Sequence, residues 1–289
     1  ATLLALGCLF VPTQVALTLG QNTALTLALT CAAFFSLRRK RDFAAGLFVG
    51  LLVLKPQLGL GFALIFLGGR RWKAVGGAAL SASFFAAMSY AAFPQAWSLF
   101  LHSIADSSDY VRGLSGSFPV HLSTSVPAAL DLLLQPLGSR LPVILGGAFF
   151  IAVVALVLRR FLRLPWNPGS GSWDMSVAAT LGLCWMSSPH LLLYDVTLFL
   201  LPAAIAAAHL SKPGRPFGGR AFSATTFVAV FAASFWIQLV LGRMHIWQTA
   251  RGLPGVLPQL VTIALVAWLW QLWRAVDLDA GPQPNATAL

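Results

Sequence analysis

Glutamate is absent from this chain of 289 residues, and its eight acidic residues are all aspartate. Charge of either sign is scarce, at 9% of residues, where a soluble domain carries about a quarter. Hydrophobic residues make up 58% and the mean hydropathy is +0.79. So little polar surface cannot cover a chain of this size in water, and lipid must be the solvent for much of it. Cysteine is also sparse. Cys8, Cys31 and Cys184 lie in apolar stretches without a CxxC pair, which excludes a disulfide framework and a cysteine metal site. The sequence holds no Walker loop, GxGxxG unit, GxSxG elbow or HExxH motif. No signal-peptide pattern stands at Ala1, where the chain opens inside an apolar run without methionine. The expectation is a longer protein whose N-terminus is missing.

What is present is basic charge, with 19 Lys and Arg and a net charge of +11. A basic excess can mark a nucleic-acid binder. Here the charges sit between apolar runs, as in cytoplasmic membrane loops, so no nucleic-acid partner is expected. Apolar segments read at about 1–11, 21–37, 43–54, 57–69, 73–92, 141–159, 173–187, 190–209, 221–241 and 254–273. The expected fold is an all-α polytopic integral membrane protein of about ten hydrophobic segments. Residues 1–275 form one transmembrane domain with an outer loop over 93–140, and 276–289 form a short polar tail.

Residues 43–67 decide the topology. They form either one span interrupted at Lys55-Pro56 or two short helices folded back as a hairpin. Proline disfavours helix at the residue before it and removes a backbone donor, so a break there has a physical cause. With the hairpin, the clusters at Arg38–Arg41, Arg70–Lys73, Arg159–Arg163, Lys212–Arg220 and Arg274 share one side, fourteen of the 19 basic residues. The positive-inside rule favours that arrangement. Twelve helical residues reach only about 18 Å, short of a hydrocarbon core of about 30 Å, so the turn must be buried in protein or line a wet cavity. Gln21, the Lys55 turn, loop 93–140, Ser188-Pro189-His190 and the 243–251 loop then share the outer face.

Lys55 is the first candidate for chemistry. It is either a snorkelling lysine with its ammonium among headgroups or a fixed positive charge suited to a lipid phosphate. Gln57 adds a neutral donor beside it. Ser188-Pro189-His190 reads as a helix start, serine capping and proline at the first position, with His190 in a first turn that attracts anions. Tyr194 then shares the face of His190, and Asp195 points elsewhere. A histidine there could bind phosphate or move a proton; a capped helix start with interfacial His and Tyr is the plainer alternative. Gly20-Gln21-Asn22 opens a further helix on the same face. Within 93–140 stand Trp97, His102, Asp106, Asp109, Tyr110, Arg112, His121 and Asp131, read mainly as solvated loop, with residues 94–104 a candidate surface helix. Asp106 and Asp109 alone make a poor Ca²⁺ or Mg²⁺ site, and no metal or cofactor is expected. The sequon at Asn285-Ala286-Thr287 falls in the cytoplasmic tail and is discounted.

The order Gly20-Gln21-Asn22, a basic turn, Ala45-Gly46, Gly50-Leu51, Lys55-Pro56-Gln57 and Arg70-Arg71-Trp72, then Ser188-Pro189-His190 and Tyr194-Asp195, resembles glycosyltransferase family 87. The resemblance spans about residues 18–210; its members include polyprenol-phosphate-mannose-dependent α-mannosyltransferases. It implies a GT-C-like bundle and an inverting transfer of a hexose, mannose by family analogy, from a polyprenyl-phosphate sugar to a lipid or glycan acceptor. It places the enzyme in the cell (inner) membrane with its active side facing the periplasm or exterior. It makes Lys55, His190 and Ser188 candidates for the donor phosphate. Gln21, Asn22, Gln57, Tyr194 and Asp195 would line the cavity. It also implies a catalytic Asp upstream of the Gly-Gln turn, in sequence before Ala1. The competing reading is a multi-pass transporter or lipid flippase, prompted by the broken helix.

Overall fold

The computed structural model of the chain describes residues 10–105, 123–138, 140–189, 191–210 and 259–279. His190, Asp106, Asp109, Tyr110, Arg112, His121, the segment 221–241, the loop 243–251 and the sequon at Asn285 lie outside these. The described residues are helical and contain no strand, only an isolated bridge between Ser123 and Leu192.

The first four helices are α1 (Val11–Thr18), α2 (Thr23–Arg38), α3 (Asp42–Gly50) and α4 (Pro56–Gly68), with a 3-10 stretch over Leu51–Leu54 between the last two. There follow α5 (Trp72–Ala92), α6 (Pro94–Ala105), α7 (Val126–Leu134), α8 (Arg140–Arg163) and α9 (Gly171–Met186). A 3-10 stretch over Leu193–Phe199 leads into α10 (Leu200–Leu210), and α11 covers Leu260–Asp279. Several boundaries differ from those read in the sequence. A helix stands at 11–18, where the apolar run was expected to end. Within loop 93–140, α6 falls on the candidate helix at 94–104, and α7 is a second helix where solvated loop was expected. Helix α11 continues past residue 275 into the expected polar tail.

Among the described residues two helices, α5 with 21 residues and α8 with 24, are long and apolar enough to cross a membrane. At 1.5 Å per residue they span about 31 and 36 Å. Helix α5 exposes Leu80, Phe84 and Met88 along one side, and α8 exposes Val143, Ile144 and Ile151. Apolar patches of that extent call for lipid or protein cover. Helix α9 is the opposite case. Every residue from Trp173 to Met186 is buried, so it forms the centre of the bundle, against α4, α8, α10 and α11.

The chain does turn back at Lys55. That residue is extended (φ −141°, ψ 73°), and Pro56 takes the first position of α4. Asp42 at the start of α3 pairs with Arg71 at the start of α5. Further along both helices, the Ser81 hydroxyl donates to the Leu47 carbonyl at 2.8 Å. Helices α3 and α5 therefore run side by side in the same direction, and α4 returns between their levels. Their close approach needs small residues. A Cβ on Gly46 would collide with the Ala74 carbonyl, and one on Gly50 with Ser81 and Ala78.

The same geometry gives the bundle two chemically distinct ends. At one end Arg38 and His209 both approach Asp174, Arg71 stacks on Trp166, and Arg160 stacks on Trp273. Lys55 lies at the other.

Candidate functional site

At the apex of the α3–α4 turn, Lys55 Nζ donates to Asp195 Oδ1 at 2.7 Å. The Thr23 hydroxyl donates to the same oxygen at 3.2 Å. The ammonium also faces the Tyr194 ring, 5.1 Å from its centroid, which adds a cation–π attraction. The Lys55 side chain is 16% exposed and that of Asp195 is 3% exposed. A carboxylate so buried needs a partner, and the lysine supplies it.

Three separate pieces of chain position this group. The helix break projects Lys55. The first residue of α2 supplies Thr23, following a turn in which Gly20 takes the left-handed conformation (φ 62°). The 3-10 stretch supplies Tyr194 and Asp195, its first turn closed by the Asp195 amide donating to the Leu192 carbonyl at 2.8 Å. Gln21 and Gln57 are half-buried and Asn22 is exposed, each within two residues of a member of the group.

Three expectations are corrected here. Lys55 does not snorkel, because its ammonium is turned inward onto Asp195; Asp195 does not point away but is the centre of the cluster. Ser188 does not start a helix. Its amide donates to the Trp185 carbonyl at 3.0 Å, closing the C-terminal end of α9, and it is 5% exposed. The next helical stretch begins at Leu193, so no free helix N-terminus exists at Ser188 to cradle an anion.

The segment that follows Ser188 is held from the other side by residues that sequence reasoning passed over. The Ser123 hydroxyl donates to the Leu191 carbonyl at 3.0 Å, and the Thr124 amide donates to the same carbonyl at 2.8 Å. Gln259 at the start of α11 donates through Nε2 to the Ser123 carbonyl at 2.9 Å, and Thr262 donates to Gln259 Oε1 at 2.6 Å. The same Gln259 and Thr262 border a largely apolar cavity of about 470 Å³ between α7 and α11, lined by Val126, Leu130, Val266 and Trp270. Among the described residues no group of three or more His, Cys, Asp or Glu could hold a metal ion.

The sequence model of glycosyltransferase family 87 matches residues 1–189, well over half of the chain and including Gln21, Lys55 and Gln57. This chain belongs to glycosyltransferase family 87. It is a glycosyltransferase, acting on a sugar donor and an acceptor, and it is membrane-bound like its family. No curated protein and no solved structure matches it. The GT-C superfamily placement agrees with the all-helical fold of the described residues. Tyr194 and Asp195 lie beyond the matched range, so their place in the site comes from geometry.

Proposed function

We propose that this glycosyltransferase moves a hexose, mannose by family analogy, from a polyprenyl-phosphate sugar to a lipid or glycan acceptor. The transfer takes place at the Lys55 end of a polytopic bundle of about ten segments. That end faces the extracytoplasmic side of the cell membrane, because the basic turns occupy the opposite end and basic turns face the cytoplasm.

The observation that carries the reading is the inward-turned, oriented ammonium of Lys55 at a helix break. An ammonium has three N–H donors. Asp195 takes one of them, leaving donors for a phosphate oxygen without the cost of a naked buried charge. As the acceptor hydroxyl attacks the anomeric carbon, the bond to the lipid phosphate breaks and charge builds on the phosphate. A fixed cation there lowers the barrier. Gln21 and Gln57 are proposed to line the sugar cavity, and His190 is the second candidate for the phosphate on the sequence pattern. Asp195 is committed to Lys55 and Thr23, so it is not the base that deprotonates the acceptor. The apolar cavity between α7 and α11 supports a substrate with a lipid tail.

The test is turnover of polyprenyl-phosphate-mannose, and of a panel of other lipid-phosphate sugars, by the full-length protein in liposomes. Transfer of sugar with release of polyprenyl phosphate is expected. Movement of lipid or solute across the bilayer without transfer would instead favour the transporter reading.

A further inference from the structure

Three turns in this chain share one hydrogen-bond pattern. In each, an amide bonds four residues back, the next bonds three back and the third bonds five back: Leu19, Gly20 and Gln21; Arg39, Lys40 and Arg41; and Gly69, Arg70 and Arg71. The middle residue is left-handed in all three, with φ of 62° at Gly20, 58° at Lys40 and 52° at Arg70. This helix-ending turn normally takes glycine in that position, because a Cβ crowds the following carbonyl there. At the Lys55 end the position is Gly20, as expected. At the basic end it is held by a lysine and an arginine, both exposed.

Strain kept where glycine would remove it points to a use for the side chains. The two basic turns are neighbours, joined by the Asp42–Arg71 pair, with Arg71 stacked on Trp166 4.9 Å away. Asp42 is taken by Arg71, and Asp174 by Arg38 and His209. Around them Arg39, Arg41 and Lys73 are also exposed, and Trp72 is 65% exposed at the root of α5, one of the two membrane-length helices. An exposed tryptophan beside a basic rim, at the end of an apolar helix, matches the boundary between hydrocarbon and headgroups.

We infer that the paired turns Arg39–Arg41 and Arg70–Lys73 form a binding surface for anionic phospholipid headgroups of the leaflet opposite the Lys55 site. Lys40 and Arg70 are the two contacts whose placement depends on the left-handed backbone. The inference rests on the chain being membrane-bound and is independent of the sugar it transfers.

The experiment titrates phosphatidylglycerol or phosphatidylcholine into the full-length protein in a neutral detergent, reading affinity from the shift in melting temperature. Wild type is expected to be stabilised by phosphatidylglycerol well beyond phosphatidylcholine. Lys40→Gly and Arg70→Gly should each raise the melting temperature without lipid, since strain is relieved. Each should also weaken phosphatidylglycerol binding about five-fold, from roughly 1 kcal/mol per basic residue near an anionic surface. The control pair Arg159→Gln and Arg163→Gln removes equal charge from the same end at ordinary helical positions and should weaken it less. Equal response to the two lipids, glycine variants that bind as wild type does, or a control pair that loses as much would each overturn the inference. Reproduction of the shift by soluble glycerol phosphate would overturn the assignment to lipid.

Discussion

Lys55 and Asp195 are separated by 140 residues in sequence and by 2.7 Å in space, with Thr23 completing the contact from a third element. The ion pair ties the tip of the α3–α4 turn to the 3-10 stretch that precedes α10. It is therefore both the centre of the candidate site and a tertiary link.

Removing one partner of such a pair leaves the other buried and uncompensated. Lys55→Ala, which strands the more buried Asp195, should destabilise the protein by on the order of 3 kcal/mol, and Asp195→Ala by somewhat less because the lysine it leaves behind is the more exposed partner. The Lys55→Ala/Asp195→Ala double variant should lose less than the sum of the two. Thermal unfolding in detergent measures all three, and strict additivity would mean that the pair contributes no coupling.

The tip of that turn is held in place by helix α3 lying against α5. Gly46→Ala places a methyl on the Ala74 carbonyl, where backbone must move to admit it. A loss of about 1–3 kcal/mol is expected, with a fall in sugar transfer as Lys55 shifts. Gly76→Ala is the control, since a Cβ there meets nothing. Equal effects at the two glycines would contradict the crossing.

At the opposite end, Asp174 is 1% exposed and accepts from the Gly169 amide at 3.2 Å, with His209 Nε2 at 2.9 Å and Arg38 Nε at 3.6 Å. It joins the end of α2, the loop before α9 and the end of α10. Asp174→Asn keeps the shape and removes the charge, and should cost about 2 kcal/mol. Because this group is remote from Lys55, the folded fraction should transfer sugar at the wild-type rate per active molecule. A kcat loss in the folded variant would argue against two functionally separate ends.

Trp185 fixes the centre of the bundle to the start of α4 through its indole N–H, which donates to the Leu58 carbonyl at 3.0 Å. Both groups are buried, so Trp185→Phe leaves that carbonyl without this donor and should lower stability by about 1–3 kcal/mol. Unfolding in detergent tests this directly, and an unchanged melting temperature would contradict the role given to the contact.

Much of the fold was legible because its signals are local. Proline after Lys55 and the spacing of basic clusters favoured the hairpin over a single span, and the Asp42–Arg71 pair shows the two clusters side by side. Lys55 stood out as a charge among apolar residues. Its pairing with Asp195 was not legible, since helical spacing from His190 assumed a helix that begins only at Leu193. Proline after serine fits a helix start and equally a chain leaving one, and the local pattern does not separate them. Thr23 carried a weak signal: with Thr26 and Thr30 it forms a buried polar stripe on one face of α2. Ser123 and Gln259 carried none, because their role is set by the backbone of a segment far away in sequence.

The central claim is that the Lys55 ammonium serves the phosphate of the sugar donor. Its most direct test is the rate of mannose transfer from polyprenyl-phosphate-mannose by full-length wild type, Lys55→Ala and Lys55→Arg in liposomes, each normalised to folded protein. Loss of kcat in Lys55→Ala by on the order of a hundred-fold, with partial recovery in Lys55→Arg, is the result the account predicts. Wild-type turnover by folded Lys55→Ala would contradict it and leave the Lys55–Asp195 pair with a structural role alone.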